Sequence, residues 1–400
     1  MPRQQFRGFF PAIAAAFAAL LLCPALPAQR ETVFHGDTSV VVVEVPVTVI
    51  AHGDAIPDLG PENFRILDEG RPQEIQGFEV LDADAVPKAP ETTTPVPDGR
   101  RVERGRRNFL FLFDLAYSDA RALAGAVQGV RELVTAKLQP GDRAGLAFFS
   151  GLRGFQWVLP LTDDRDDVAA GLAVLDALVR SDRRRVRGLL ASWAPGDGAR
   201  PATAHVDPRA ILAESGIMPL SRSGDWPHSS IFAHLARSLE GVARATTGLD
   251  GQRYLVHLTG GIPDRFVTGG STERARILDL MQGIFRSFRR TGWAVQSVNL
   301  NGLGFGRDSL LLLAKETGGQ LFTNSNDVGQ LVREVEARTR VVYMLTFQPD
   351  ALAPDGSYHR LEVRLVDAPP GSRAVHRPGY YAPDGKLPPA PPTCPTRTCG

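Results

Sequence analysis

Cysteine is scarce in this sequence, with three residues in a chain of 400. Domains held together by disulfides, and proteins that bind zinc through several thiolates, need more, so both classes are excluded. A charge surplus is also missing, because 45 lysines and arginines face 44 acidic residues. Binding to phosphates needs a basic surplus or a basic face, so we do not expect a nucleic acid as the partner.

Long apolar runs are missing after the N-terminal segment, so no later stretch is long enough to span a bilayer. In that segment, Arg3 and Arg7 precede an apolar run over residues 13–22 and small residues that end at Ala28. This order is typical of a secretory signal peptide, which we place at residues 1–28. An uncleaved anchor is the alternative. We expect an exported mature chain, periplasmic or secreted, without a transmembrane segment.

The two cysteines after the signal segment, Cys394 and Cys399, lie in a Pro-rich tail over residues 384–400. In an oxidising compartment they could form a disulfide that closes a small terminal loop. A crosslink between two chains through the tail is the alternative. Neither bond would hold the core of the protein together.

Common catalytic signatures are missing as well. The sequence has no G-x-S-x-G nucleophile elbow and no P-loop, and His228 and His234 do not have the spacing of H-E-x-x-H. We interpret the glycines at 302, 304 and 306 as an ordinary loop between a strand and a helix. His257 lies in a predicted apolar strand and is interpreted as a core histidine with satisfied hydrogen bonds. We therefore assign no catalytic residue and do not expect an enzyme.

What the chain does contain is ordinary globular composition, 43% hydrophobic and 22% charged, with strand patterns towards both ends. Residues 37–82 form an N-terminal β segment that begins with a strand at 40–49, where alternate valines share one face. Residues 341–383 form a C-terminal β segment whose last predicted strand covers 374–381. Residues 83–107 are a linker, and we interpret its arginines, which include Arg107, as a solvated entrance to the next strand.

Residues 108–340 alternate between apolar strands and amphipathic helices, which predicts an α/β fold with a mainly parallel sheet and helices on both faces. Three strands alone are marginally stable, whereas six or more can enclose a sandwich core. We therefore interpret the two β segments as halves of one small β-sandwich, with the α/β domain inserted between them.

An insertion at residues 180–229 interrupts the α/β domain. Long loops in compact domains are usually functional or disordered, and arginine and tryptophan are enriched where proteins bind partners. The insertion therefore supplies candidate partner-binding residues: Arg183, Arg184, Arg185, Arg187, Trp193 and Trp226. Disorder, or a helix that packs on the sheet, is the alternative.

Three phrases carry a family resemblance: Phe-Leu-Phe-Asp114 at the end of the first α/β strand, residues 140–149, and residues 313–319. From Phe109 to Thr339 the chain resembles a von Willebrand factor A-like domain. With the flanking phrases at 59–73, 343–349 and 377–383, residues 40–383 are similar to the exported VWFA-related proteins of the acidobacterial type. The resemblance implies a doubly wound, mainly parallel sheet and a binding role.

The resemblance also implies a metal-ion-dependent adhesion site at the C-terminal edge of the sheet, with an Asp-x-Ser-x-Ser motif, a threonine and a second aspartate. Asp114 matches the first acid and Ser118 the second serine. Ala116 replaces the first serine and Gly260 the second acid, so the site is degenerate. Ser118 could instead cap the helix that begins near Ala120, and Asp114 could accept hydrogen bonds from loop amides.

The remaining positions of the site are looser. The threonine position falls near Ser229 or Ser230, and Asp264 could supply a displaced carboxylate. Hard divalent cations need a shell of oxygen ligands, so no cofactor is certain, and Mg²⁺ or Mn²⁺ would bind weakly.

Together these observations predict an exported, non-enzymatic binding or adhesion-type module. Its partner would be a protein or a cell-envelope component that contacts the C-terminal edge of the α/β sheet. An exported hydrolase with an unrecognised active site and a purely structural envelope component are the alternatives. Fold analogy is the only support for binding at this point.

Overall fold

The computed structural model describes most of the chain between its two ends. The described residues are 41–84, 105–151, 153–182, 184–185, 228–261, 272–302, 306–323, 325, 327–350 and 352–384. All of them belong to one compact unit, Val41–Gly400. Within these ranges, no helix combines the length and the apolar character needed to cross a bilayer. The predicted signal segment and the two tail cysteines, Cys394 and Cys399, lie outside them.

Six strands form a mainly parallel sheet in the order β11-β10-β9-β6-β7-β8. They are β6 (Arg107–Asp114), β7 (Arg143–Ser150), β8 (Gly154–Thr162), β9 (Gln252–Thr259), β10 (Trp293–Asn299) and β11 (Leu321–Phe322). All neighbours run parallel except β7 and β8. Residues 151–153 alone connect these two strands, enough for a hairpin but too few for a parallel crossover. The predicted α/β fold with a mainly parallel sheet is confirmed.

Six helices of the described chain cover the two faces of this sheet. They are α1 (Ala120–Ala136), α2 (Arg165–Val179), α3 (His228–Ala245), α4 (Thr272–Thr291), α5 (Arg307–Thr317) and α6 (Val328–Thr339). Alternate side chains of a strand point to opposite faces. Phe109 and Phe111 therefore pack with α1, α2 and α6, whereas Leu110 and Leu112 pack with α3 and α4. The central strand β6 is buried along its whole length.

The strands from the two ends of the chain form two further sheets, with orders β14-β1-β12-β5 and β15-β13-β3-β4, and β2 pairs with β1. They are β1 (Val43–Ala51), β2 (Asp54–Ala55), β3 (Phe64–Asp68), β4 (Arg71–Gln73), β5 (Gly77–Asp82), β12 (Val341–Phe347), β13 (Tyr358–Leu365), β14 (Arg373–Val375) and β15 (Gly379–Tyr381). Each sheet thus contains strands from both ends.

One hydrophobic cluster joins these two sheets. Val45 and Val47 on β1 pack in it with Phe64 on β3 and Tyr343 on β12. The Tyr343 hydroxyl donates to the carbonyl of Ile56 at 2.7 Å, so this buried hydroxyl is hydrogen-bonded. The alternation of valines along β1 therefore has the expected consequence, a single apolar face turned towards the core.

Two expectations about the β segments and the linker are wrong. The predicted strand at 374–381 is two strands, β14 and β15, which pair with β1 and β13 respectively. The chain passes from one sheet to the other over residues 376–378, where Pro378 has no N–H to donate to a ladder. Arg107 is not solvated but 2% exposed, because its guanidinium contacts Asp142 at 2.6 Å and Glu336 at 3.3 Å.

Candidate functional site

The candidate site lies where β6 and β9 end. Strand order reverses between these two strands, since β7 follows β6 on one side and β9 lies beside it on the other. Open α/β sheets bind ligands at such a switch point, outside the carboxyl ends of the strands. Asp114 is the last residue of β6 and Thr259 the last residue of β9. Their positions bring a carboxylate and a hydroxyl together at the switch point.

Asp114 uses both carboxylate oxygens inside the protein. Oδ1 accepts hydrogen bonds from the amides of Ala116 at 2.9 Å and Tyr117 at 3.1 Å, and Oδ2 accepts the hydroxyl of Thr259 at 2.6 Å. The side chain is 1% exposed. The alternative in which Asp114 accepts loop amides is therefore the observed one. A buried carboxylate needs such partners, because leaving it without them would carry a large desolvation cost.

Ser118 contributes to the same closed network. Its Oγ accepts the amide of Gly260 at 3.0 Å, and the amide of Gly261 donates to Thr259 Oγ1 at 3.0 Å. Ser118 is not the N-cap of α1: that position belongs to Asp119, whose Oδ1 accepts the amide of Ala122 at 2.9 Å. Asp119 immediately precedes the helix, which leaves Ser118 free to bond the neighbouring strand end.

The backbone at Gly260 is packed too closely to carry a side chain. A Cβ at this position would lie 2.3 Å from the carbonyl oxygen of Tyr117 and 2.3 Å from Nδ2 of Asn301. Asn301 Nδ2 also donates to the Gly260 carbonyl at 3.0 Å. The next residue, Gly261, has a φ of 76°, and a Cβ there would lie 2.7 Å from the carbonyl oxygen of Gly306. An aspartate at position 260 therefore would not fit without a backbone shift.

The described residues of this network do not present a ligand shell for a divalent cation, and Asp264 lies outside them. The side-chain oxygens of Asp114 and Ser118 are engaged with protein donors, and Ala116 and Gly260 have no side-chain oxygen. No group of three or more His, Cys, Asp or Glu side chains among the described residues could hold a metal ion. Hard cations bind through several oxygens that point at one centre, and this network directs its oxygens towards N–H and O–H donors instead.

Ser229 and Ser230 lie on the first turn of α3, and no hydrogen bond among the described residues joins either to Asp114. The amide of Ser229 donates to Oε1 of Glu273 at 2.8 Å. The hydroxyl that reaches Asp114 is Thr259, which the sequence analysis did not select. Its signal is the phrase Leu258-Thr259-Gly260-Gly261 at a strand end, of which the sequence analysis considered only Gly260.

Two further side chains, Tyr117 and Glu273, determine the charge state around Asp114. Burial raises the pKa of the Tyr117 hydroxyl, and the negative charges of Asp114 and Glu273 raise it further. The phenol therefore stays protonated at neutral pH. Glu273 lies in the first turn of α4 and was not predicted as a site residue. Its position at a helix N-terminus, where acidic side chains are favoured, is the only sequence signal for it.

His257 is buried, as expected, but it is not satisfied. Neither ring nitrogen has a hydrogen-bond partner among the described residues, and Nε2 lies 3.8 Å from Oδ2 of Asp114. Ser297 faces His257 across the β9–β10 pairing, and its Oγ likewise has no partner there. Two polar side chains without partners therefore lie under the closed network.

A groove of about 890 Å³ opens beside this edge, between α1 and α6. At its floor the helices touch, since a Cβ on Gly129 would lie 2.9 Å from the Cα of Gly329. Its rim carries both charge signs, from Asp119, Arg121, Glu132, Asp327 and Arg333. The groove also includes Asn301, which ties it to the network at Gly260.

Of the insertion, only a short part is described. Arg184 and Arg185 are exposed, and Arg185 contacts Asp176 of α2 at 3.5 Å. Its amide donates to Asp182 at 2.9 Å. The other predicted site residues of the insertion and the loops lie outside the described residues: Arg183, Arg187, Trp193, Trp226 and Asp264.

No protein-family model and no curated protein matches the sequence. Among solved structures, proximal thread matrix protein 1 from the mussel byssus, with a zinc-occupied MIDAS motif, is 15% identical at a TM-score of 0.30; the match covers 58% of this chain and 47% of the mussel chain. This chain thus spans about half the length of the mussel protein.

Two other solved structures are similar to the same degree. An aerotolerance-related membrane protein from Bacteroides fragilis is 13% identical at a TM-score of 0.31, over 58% of this chain and 98% of that chain. The manganese-loaded TRAP protein of Plasmodium vivax is 11% identical at a TM-score of 0.29, over 78% of this chain and 98% of that chain. At such TM-scores none of these likenesses carries an argument about the site.

The class of the protein therefore rests on its own geometry. The reversal of strand order between β6 and β9, with helices on both faces, defines an open, doubly wound α/β fold. At its switch point, Asp114, Ser118 and Thr259 form a buried network that closes on itself.

Proposed function

We propose that this protein is an exported, non-enzymatic binding module with a von Willebrand factor A-like domain. Its partner is a protein or a cell-envelope component, held at the carboxyl edge of the α/β sheet without a divalent cation. We further propose that the strands of both chain ends form one β-sandwich into which this domain is inserted. The observation that carries the proposal is the internal use of both Asp114 oxygens and of the Ser118 hydroxyl.

The binding surface in this proposal is the groove between α1 and α6. A surface that must hold a partner needs side chains accessible to it, and Asp114 offers none. Arg121 and Arg333, by contrast, are exposed on the rim of the groove, where Arg333 contacts the carboxylates of Asp327 and Glu132 at 3.3 Å each. Charged rims of mixed sign favour a partner with a complementary pattern and raise its association rate.

Hydrolysis has weaker support. Ser297, His257 and Asp114 lie near one another on one face of the sheet, which superficially meets the requirement for a catalytic triad. However, all three side chains are buried, and His257 makes no hydrogen bond to either of the others. A nucleophile needs a base within hydrogen-bond reach and access to substrate, so this grouping cannot act as a triad as it stands.

The test is a binding measurement on the mature full chain. Immobilised protein is exposed to solubilised envelope extract in Mg²⁺ and again in EDTA, and the retained components are quantified. We expect the same components in both conditions. The double variant Arg121→Glu/Arg333→Glu should lose them at least tenfold, while the matched reversal Arg286→Glu, on exposed α4 surface, should not.

Two outcomes would contradict the proposal. Retention that requires Mg²⁺ would show that a cation completes the site after all. Retention that survives the double reversal would place the partner on another surface. A parallel screen with esterase, peptidase and glycosidase substrates checks the alternative, and turnover above buffer would support a hydrolase.

A further inference from the structure

A second groove, of about 700 Å³, runs along the outer edge of the six-stranded sheet. It lies between α5 and β11 on one side and α6, β13 and β14 on the other. It is lined by a different set of residues from the groove between α1 and α6. Three properties of this second groove point to one kind of occupant. They are its open strand edge, its apolar surface and its positive charge.

The first property is an open strand edge. β11 is the outermost strand of the sheet and pairs with β10 alone among the described strands. The amide of Ser297 donates to the carbonyl of Gln320 at 2.8 Å, so Gln320 and Phe322 direct their ladder groups towards β10. In a parallel ladder, alternate residues bond to opposite sides. The N–H and C=O of Leu321 therefore face the groove.

The second property is an apolar surface beside that edge. Leu311 on α5 is 45% exposed and lines the groove together with half-buried Leu321. The ring of Phe322 closes the floor, with the guanidinium of Arg338 over it at 4.9 Å. An exposed leucine next to unpaired strand groups is an aggregation hazard unless something covers it.

The third property is an uncompensated positive charge. Arg307, Lys315 and Arg373 are exposed along the groove, and none has an acidic partner among the described residues. The two acidic side chains of the groove are already engaged: Glu334 contacts Arg338 at 2.8 Å, and Glu362 contacts Arg364 at 2.6 Å. An incoming acidic side chain would therefore meet cations without displacing an existing partner.

We propose that this groove binds an extended, acidic segment of a partner protein, which adds to β11 as a further strand. Main-chain hydrogen bonds to Leu321 provide the register, alternate apolar side chains contact Leu311, and acidic side chains contact Arg307, Lys315 and Arg373. Strand addition at a free sheet edge is a general mode of peptide recognition. Charge complementarity selects an acidic segment over a neutral or basic one.

The probe is a fluorescent synthetic heptapeptide of alternating glutamate and valine, compared with a lysine–valine peptide. A third peptide carries N-methyl groups on alternate residues, which removes its ladder donors and leaves its charge unchanged. Fluorescence anisotropy with the mature full chain measures each affinity. We expect the acidic peptide to bind at least tenfold more tightly than either of the other two.

Variants of the protein test which of its residues the acidic peptide contacts. Arg307→Glu/Arg373→Glu should weaken the acidic peptide at least tenfold, and Leu321→Pro should do the same by removing the outward N–H, a change that edge strands tolerate. Circular dichroism checks folding, and if Leu321→Pro does not fold, the N-methylated peptide carries that arm of the test. Arg286→Glu is the matched control, and Arg121→Glu/Arg333→Glu should leave peptide binding unchanged.

Equal affinity for the acidic and lysine peptides would overturn the proposal, as would equal affinity for the N-methylated peptide. Sedimentation that detects a dimer of the wild type, lost in Arg307→Glu/Arg373→Glu, would assign the groove to a second copy of this chain and also overturn it. Because the Arg121 and Arg333 variants address the other groove, failure of the proposed function leaves this inference standing.

Discussion

The hydroxyl of Thr259 donates to Oδ2 of Asp114 at 2.6 Å and ties the carboxyl end of β9 to that of β6. This single bond satisfies the second oxygen of a carboxylate that is buried at the switch point. It also fixes Thr259 Oγ1 where it accepts the amide of Gly261. One hydroxyl therefore links two strand ends and the loop that follows.

Replacing this hydroxyl tests how much the network contributes to stability. Thr259→Val keeps the shape but leaves Oδ2 of Asp114 without its donor, so we expect a loss of about 1–3 kcal/mol in the free energy of unfolding. Urea unfolding measures it. Thr135→Val, on the exposed face of α1, is the matched control and should change little. A cost at position 259 no larger than the control's would contradict the assigned role.

Substitutions at Gly260 test how tightly the backbone is packed there and whether an added carboxylate creates a cation site. Gly260→Ala should destabilise the fold by more than about 2 kcal/mol, because its Cβ would meet the backbone oxygen of Tyr117 at 2.3 Å. The control is Gly241→Ala on α3, where nothing lies within 4 Å and the change should stabilise by about 0.5–1 kcal/mol. Gly260→Asp should show no heat on titration with Mg²⁺. Heat that appears in this variant would contradict the argument from packing.

Arg107, the buried arginine at the start of β6, allows a test of how much its ion pair contributes to stability. Arg107→Met should cost about 3–5 kcal/mol, because Asp142 would remain buried without its partner. Changing both residues, Arg107→Met with Asp142→Asn, should recover part of this loss. Denaturant midpoints of the single and double variants measure the coupling. Additive losses would mean that the contact at 2.6 Å contributes no interaction of its own.

Replacing His257 with an apolar residue should increase the free energy of unfolding. Both ring nitrogens are buried without partners among the described residues, so His257→Leu removes unsatisfied polar atoms and is expected to raise stability by about 1 kcal/mol. Thermal unfolding of the variant beside the wild type measures it. A marked loss instead would show that the ring makes a contact the network requires.

The pH dependence of stability should contain a contribution from His376. Burial lowers the pKa of this histidine, and Nε2 accepts the amide of Val363 at 3.2 Å, which a protonated ring cannot do. The unfolded chain therefore binds a proton more readily than the folded one below about pH 6.5, and stability falls as pH falls through that window. His376→Gln should reduce this slope, by up to about 1.4 kcal/mol per pH unit. Identical slopes in both proteins would contradict it.

Much of the α/β part could be predicted because its signals are local. The apolar run of β6 and the helical spacing of α1 are each read within about twenty residues. The contact between Thr259 and Asp114 joins residues that are 145 positions apart, so no local sequence pattern predicts it. The alternative in which Ser118 caps α1 is off by one residue, because Ser118 and Asp119 are both good capping residues and only the tertiary partner of Ser118 decides between them.

The same distinction explains the other errors. Arg107 belongs to a run of arginines that reads as solvated, and its burial follows from Asp142 and Glu336, which lie far from it in sequence. The division of 374–381 into β14 and β15 depends on which strands stand beside each half. Local composition predicts the elements, whereas pairing and charge compensation depend on contacts between distant residues.

The pairing of β1 with β12 has a consequence for how the chain is made. Tyr343 bonds a carbonyl 287 residues earlier. β1 can therefore pair only with the two-residue β2 until the distant strands β12 and β14 have been synthesised. Until then the valines of β1 lack the strands that complete their sheet, and contacts this distant in sequence are slow to form. The architecture itself therefore delays the step that completes the sheet until both ends of the described chain are present.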